Sequence, residues 1–181
     1  MVDLPDQSLS DGVVTLAVSG PADAADVAAA VPAGEPGAWE ATPGPYTIEQ
    51  ARRILGVWEE GAWRGSRVAL TVRDADDGRY LGAVVLMAGT PERPQDDAAR
   101  AELEVAWWVA PSERRRGVAA RAVTLVAAWA RHAPGVDLLW AEIDPANEGS
   151  RRVALANGFA EGERLRRDAG TVIVFRLRTS A

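Results

Sequence analysis

The chain has 181 residues, 48% of them apolar, no cysteine, and 26 acidic against 20 basic residues, for a net charge of −6. That length suits one domain with a sizeable core, and the missing cysteine excludes disulfide staples, a thiol nucleophile and cysteine-ligated zinc. The acidic balance argues against a nucleic-acid binder, and no membrane-length apolar run or apolar leader occurs, so a cytoplasmic protein is expected, without membrane partners.

Residues 1–11 read as a loose tail ahead of a single domain over 12–181. Val14, Leu16 and Val18 alternate within a first strand over Gly12–Ser19, and Pro21 then opens a short Ala-rich helix that ends before Pro32. Ala33 to Pro45 is rich in Gly and Pro and reads as a loop. Thr47 with Gln50 forms a capping box, so a second helix is predicted over Ile48–Trp63 with Ile54, Leu55 and Trp58 facing inward. Val68–Arg73 and Tyr80–Met87 are strands joined by the turn chemistry of Asp74-Ala75-Asp76-Asp77-Gly78. A polar loop over Thr90–Ala99 precedes a strand Ala101–Ala110, a helix Glu113–His132, a strand Asp137–Ile143 and a helix Glu148–Asn157. Two strands, Phe159–Arg166 and Thr171–Leu177, end the chain. This order predicts an α/β (α+β) domain, a mixed and mostly antiparallel twisted sheet of about seven strands flanked by about four helices.

All twenty basic residues are Arg, which with the many Ala points to a GC-rich bacterial genome and not to a mechanism. Their placement is more informative: residues 1–110 hold 18 acids and 8 bases, a net −10, while residues 111–181 hold 8 acids and 12 bases, a net +4. A polyanionic ligand and a cationic one suit such a chain. The most telling stretch is Glu102–Ala119, in which an apolar strand enters a Pro-led turn, the run Arg114-Arg115-Arg116, Gly117 and then an alanine-rich helix. The first turn of a helix leaves backbone N–H groups unpartnered at the positive end of the dipole, so a diphosphate can rest there. Gly117 has no side chain to hold the anion off, and Arg114 is placed to reach over it with a planar charged fork. Without an anion, each Arg at that helix start would cost about 0.3–1 kcal/mol. Neither the Walker pattern nor the dinucleotide fingerprint is present.

This unit, followed by Asp144-Pro145-x-Asn147-x-x-Ser150 and by Asn157-Gly158-Phe159, resembles the GNAT superfamily of acyl-CoA-dependent N-acetyltransferases. Arg114-x-x-Gly117-x-Ala119 matches that family's coenzyme A loop, and Glu104-Val-Ala-Trp-Trp-Val-Ala-Pro with Asn147-x-x-Ser150-Arg-Arg-Val looks most like its ribosomal-protein N-terminal alanine and serine acetyltransferase branch. The resemblance implies a GNAT-like fold, acetyl-CoA as cosubstrate without a metal, and acetyl transfer by direct attack of a primary amine, from a protein N-terminus or a small molecule. It implies that the backbone of Arg115, Arg116, Gly117, Val118 and Ala119 holds the diphosphate with Arg114 across it. It also implies that the backbone of Trp108, Val109 and Ala110 pairs with the pantetheine arm, an N–H near Val109 polarising the thioester oxygen. Glu104 is the general base it favours, with Glu102 on the same strand face as rival. Asn147 would bond the pantetheine or nearby backbone, and Ser150 with Arg151 or Arg152 the far end of the coenzyme.

One departure from the family pattern stands out. The tyrosine seven residues after the Asn, which protonates the leaving thiolate in many members, is Ala154 here, leaving Ser150 and a water as substitutes, or no acid at all. Trp58, Trp63, Trp107, Trp108 and Trp129 fall in predicted helices or strands and read as core, whereas Trp39 stands in the Gly/Pro loop and is expected to wall the amine pocket. His132 reads as a helix-end residue that complements the dipole. Two alternatives to an enzyme remain at this point, a non-catalytic acyl-CoA-binding or sensing domain and an interaction domain that uses the fold without the cofactor. Many relatives associate through their sheets, so a homodimer is compatible with the chain, and nothing in the sequence decides it.

Overall fold

A computed structural model describes residues 8–35, 44–63, 66–92 and 102–179. Eight strands form one sheet: β1 (Leu9–Ser10), β2 (Val14–Val18), β3 (Arg67–Asp74), β4 (Tyr80–Ala88), β5 (Glu102–Val109), β6 (Leu138–Ile143), β7 (Ala160–Arg167) and β8 (Gly170–Arg178). Their spatial order is β1-β2-β3-β4-β5-β6-β8-β7. Among the described strands only β5 and β6 run parallel. Four helices flank the sheet: α1 (Ala24–Ala30), α2 (Ile48–Trp63), α3 (Val118–Ala130) and α4 (Glu148–Ala156). The sheet has one strand more than predicted, because Leu9 and Ser10, read as tail, pair with Leu16 and Thr15.

Local chemistry explains the elements. The Thr47–Gln50 box closes reciprocally, with the Gln50 N–H donating to Thr47 Oγ1 at 3.1 Å and the Thr47 N–H to Gln50 Oε1 at 2.8 Å, which removes two orphan donors at the start of α2. Asp74 and Asp77 accept N–H bonds from Asp76 and Arg79 inside the β3–β4 turn, at 3.0 and 2.9 Å. Two helices start later than expected: Pro21–Asp23 forms a 3-10 turn ahead of α1, and Pro111–Glu113 forms another, with α3 beginning only at Val118. Pro111 and the Arg run therefore belong to a connecting loop.

Strand alternation divides the core into two layers. Leu103, Val105, Leu139, Ala141, Ile143 and the inner face of α3 fill one, together with Ala154 and Phe159. Ala69, Ala83, Val85, Trp108 and Ala110 fill the other beneath α1 and α2, with Leu55 and Trp58 pressed onto them. Each fully buried Leu or Val contributes about 1.5–3 kcal/mol. β5 is covered on both faces and so held firmly as a platform. Trp140 was left out of the expected core, yet it is 0% exposed, and its indole N–H donates to the Gly89 carbonyl at 2.8 Å. Of Trp63 and Trp39, the side chain of the first and the whole of the second lie outside the described residues. Among the described residues no helix is long and apolar enough to cross a membrane.

Candidate active site

The site begins where β5 parts from β6. On one edge β5 pairs with β4 along its whole length, from Ala88↔Leu103 to Gly82↔Val109. On the other edge its pairing with β6 stops after Glu102↔Leu138, Leu103↔Leu139 and Glu104↔Trp140. Gly82 lets β4 stay close at the far end, since a Cβ there would lie 2.2 Å from the Trp108 carbonyl oxygen. The result is a fork with Glu104 at its apex. Two cavities open along it, one of about 640 Å³ over the α3 loop and one of about 150 Å³ between Val105–Trp107 and Ala141–Asp144. Trp107, Asn147 and Ser150 line both.

Hydrogen-bond alternation says which backbone groups face this fork. The Ala110 N–H donates to the Leu81 carbonyl of β4 at 2.9 Å, and in an antiparallel ladder such bonded pairs recur at every second residue. Trp108 therefore also points its backbone at β4. The N–H groups of Trp107 and Val109 point into the fork, while that of Val105 closes the last bridge to β6 at Trp140. Of the expected pairing edge Trp108–Ala110, Val109 faces the fork, whereas Trp108 and Ala110 turn their backbones to β4 and Trp107 takes the open position instead. At about 3.3 Å of rise per residue, Trp107 lies about 10 Å along the strand from Glu104 and Val109 about 16 Å.

At the mouth of the large cavity the chain turns through Arg114–Gly117. Arg115 (φ 62°) and Gly117 (φ 80°) are both left-handed, and such residues alternating with Arg116 converge successive N–H groups into a concave anion nest. A non-Gly residue in that conformation costs about 1–2 kcal/mol. A Cβ on Gly117 would meet nothing within 4 Å, so it would project into the open mouth. Arg115, Gly117, Val118 and Ala119 line the cavity. The side chain of Arg116 turns away to Glu113 at 2.7 Å and is 59% exposed, so its backbone alone can take part in the nest.

Arg114 is placed differently from the expected reach across the loop. Its Nε donates to the Val109 carbonyl at 3.1 Å and its Nη2 to the carboxylate of Glu35. The Trp108 indole N–H donates to the same Glu35 oxygen at 3.3 Å. Glu35 thus lies in the cavity wall beside the arginine, a feature that no motif in its Gly/Pro-rich surroundings announced. Asn147 caps α4, its Oδ1 accepting the Ser150 N–H at 3.0 Å, and faces both cavities from there. Arg152 lines the large cavity and is 77% exposed, 3.8 Å from Glu148. Arg151 turns to Glu161 instead, at 3.2 Å.

Glu104 is raised to about 7, first by burial and then by the neighbouring Glu142 carboxylate, while Arg167 works in the opposite direction. A carboxyl that changes protonation near neutrality suits general base chemistry. Glu102 sits on the same face, two residues before the apex of the fork, opposite Leu138 of β6. Ala154, at the family's tyrosine position, is 0% exposed. Tyr46 and Tyr80 are buried in the layer under α1 and α2, and burial pushes Tyr80 well above the ordinary phenol range. Glu142, Arg167, Trp107 and Glu35 are the site residues that sequence reasoning missed.

The architecture now has relatives. The family model of the acetyltransferase (GNAT) domain matches residues 15–160, and the chain belongs to that family. It is an acetyl-CoA-dependent acyltransferase. RimJ of Mycobacterium smegmatis, solved with a CoA-disulfide, superposes with a TM-score of 0.81 at 21% identity, over 98% of this chain and 89% of that one. The ribosomal-protein-S5-alanine acetyltransferase of Vibrio fischeri gives 0.78 at 18% identity, over 96% and 97%. The aminoglycoside acetyltransferase AAC(6')-Ib, in complex with coenzyme A, gives 0.73 at 14% identity, over 91% and 94%. No curated protein matches by sequence. Among the described residues no group of His, Asp and Glu is arranged to hold a metal ion.

Proposed function

We propose that the protein transfers the acetyl group of acetyl-CoA directly to the α-amine of a polypeptide N-terminus, with Glu104 as general base. The observation that carries this reading is the fork itself: an open strand edge, a half-buried carboxyl at its apex and an anion nest at its mouth. The diphosphate rests on the amides of Arg115–Ala119, and the pantetheine arm takes the strand position that β6 vacates, bonding Trp107 and Val109. Recovering such ladder bonds is worth about 0.5–1.5 kcal/mol each. The Trp107 N–H, the nearer of the two to Glu104, polarises the thioester oxygen. Ser150 and Arg152 meet the far end of the coenzyme.

Glu104 removes a proton from the acceptor ammonium through a water. The neutral nitrogen then attacks the thioester carbon, the C–N bond forms and the C–S bond breaks. As the C–S bond breaks, the newly bonded nitrogen sheds its second proton, which Ser150 and a water relay to the departing thiolate in place of the tyrosine, while the first proton stays on Glu104 until it passes to solvent. A base near 7 matches an α-amine near 8, of which roughly one-tenth is neutral at pH 7; a lysine near 10.4 is neutral in only about one molecule in a few thousand. The names of the structural neighbours RimJ and ribosomal-protein-S5-alanine acetyltransferase support the same acceptor class. Thiol release measured with peptides bearing a free Ala or Ser N-terminus, against polyamines and aminoglycosides, tests the choice. Turnover confined to the small amines would replace the peptide acceptor. Tight acetyl-CoA binding without turnover on any amine would favour the coenzyme-sensing alternative, which the Ala154 substitution motivates.

A further inference from the structure

We propose that Arg167 is a positioning residue that holds the Glu142 carboxylate beside Glu104 and thereby governs the proton on Glu104. The inference rests on the reading of Glu104 as the base. Arg167 is the last residue of β7. Its Nε donates to the two Glu142 oxygens at 2.9 and 3.1 Å, and its Nη2 donates to Glu142 Oε1 and to the Pro91 carbonyl beyond β4. One guanidinium therefore ties together β7, β6 and the segment that follows β4.

Register places the pair next to the base. Glu104 stands opposite Trp140, so Glu142 is two residues further along β6 on the same face, about 8 Å away from strand spacing and rise. Two carboxylates face each other across the fork, and the guanidinium belongs to one of them. An unpaired Glu142 would raise the proton affinity of Glu104, and a neutralised Glu142 would lower it. A planar, permanently charged fork sets that balance in a fixed geometry, which a flexible lysine does not.

The other charged groups of this face pair mainly with one another, although Glu92 also lies within reach of Arg167. Arg176 of β8 holds Glu163 at 2.6 Å and lies 3.6 Å from Glu92. Glu102 of β5 is coupled to Arg176. From β4 the residue opposite Glu104 is Met87, which is uncharged. Among the described residues, Glu142 and Arg167 are thus the pair that acts on Glu104, the first raising its proton affinity and the second lowering it.

The test is a carboxyl carbon NMR titration of Glu104 in the full chain, run beside the pH dependence of kcat/KM. In Arg167→Met the Glu104 midpoint is expected to rise by about one pH unit, and in Glu142→Gln to fall by about one. Arg167→Lys should restore part of the shift. The rate in Arg167→Met should drop about fivefold at pH 7 and recover above about pH 9, with the KM for acetyl-CoA unchanged. Glu142→Gln is isosteric and carries the test if the Arg167 variants do not fold. A Glu104 midpoint that stays at its wild-type value in Arg167→Met and Glu142→Gln alike overturns the inference. Midpoints that move as expected beneath an unmoved pH–rate profile leave the inference standing and remove the base role instead.

Discussion

The two edges of β5 carry the same residues and meet opposite fates. Toward β4 every residue from Leu103 to Val109 has a partner; toward β6 the ladder ends at Glu104. The paired edge gives the strand its rigidity, and the open edge leaves backbone donors aimed at a cavity. Neither would serve alone, because an unsupported edge strand would not hold its N–H groups in a fixed direction. Catalysis by such groups depends on their being oriented before the substrate arrives.

The largest expected effect comes at the apex of the open edge. Glu104→Gln should lower kcat/KM about 10²–10⁴-fold near pH 7 while leaving acetyl-CoA binding intact, as thiol release and calorimetry would show. Wild-type kcat/KM should climb through about pH 7 as Glu104 ionises. An activity unchanged by the substitution removes the role of the apex. Next comes the mouth. Gly117→Glu places a carboxylate in a left-handed position of the nest, and acetyl-CoA affinity should fall about 100-fold, through anion repulsion and backbone strain together. A coenzyme affinity untouched by that change would separate the nest from the fork.

A smaller effect, of opposite sign, belongs to Glu35. It competes with any bound phosphate for Arg114, so Glu35→Gln should tighten acetyl-CoA binding by about five-fold, measured by titration. Weaker binding would instead make Glu35 part of the coenzyme's support. Stability gives the last comparison. A carboxyl whose folded pKa is raised above its unfolded value binds more protons in the folded state, so stability falls as pH rises from about 4.5 to about 7. Above that window the buried charge costs about 1–3 kcal/mol. Glu104→Gln should therefore be more stable than wild type at pH 8 and nearly equal to it at pH 4, in urea melts at the two values. The paired edge has no such charge, and Thr71, buried in β3, should show no comparable dependence when replaced by Val.

Much of this molecule could be read directly from the chain. The capping box at Thr47, the Asp-rich turn before Gly78 and the period-two strands are short-range signals, set by neighbours within a few residues, and they place nearly every element. The left-handed loop before α3 was legible for the same reason, since Pro111, the arginines and Gly117 are contiguous. What the chain could not announce is which side of β5 would be open, because the direction of an N–H depends on a partner strand more than twenty residues away. Trp108 and Ala110 were expected at the fork and Trp107 was assigned to the core, a shift of one residue that reverses the edge each backbone group faces. Glu142 and Arg167 come from remote strands, and the sheet order that sets β6 beside β5 brings them to Glu104; Glu35 comes from the segment after α1 and reaches Arg114 from outside the sheet. Local propensity determined the elements and the anion nest; the pairing of distant strands decided which carboxyl is buried, which arginine answers it and where a second chain of atoms can be threaded.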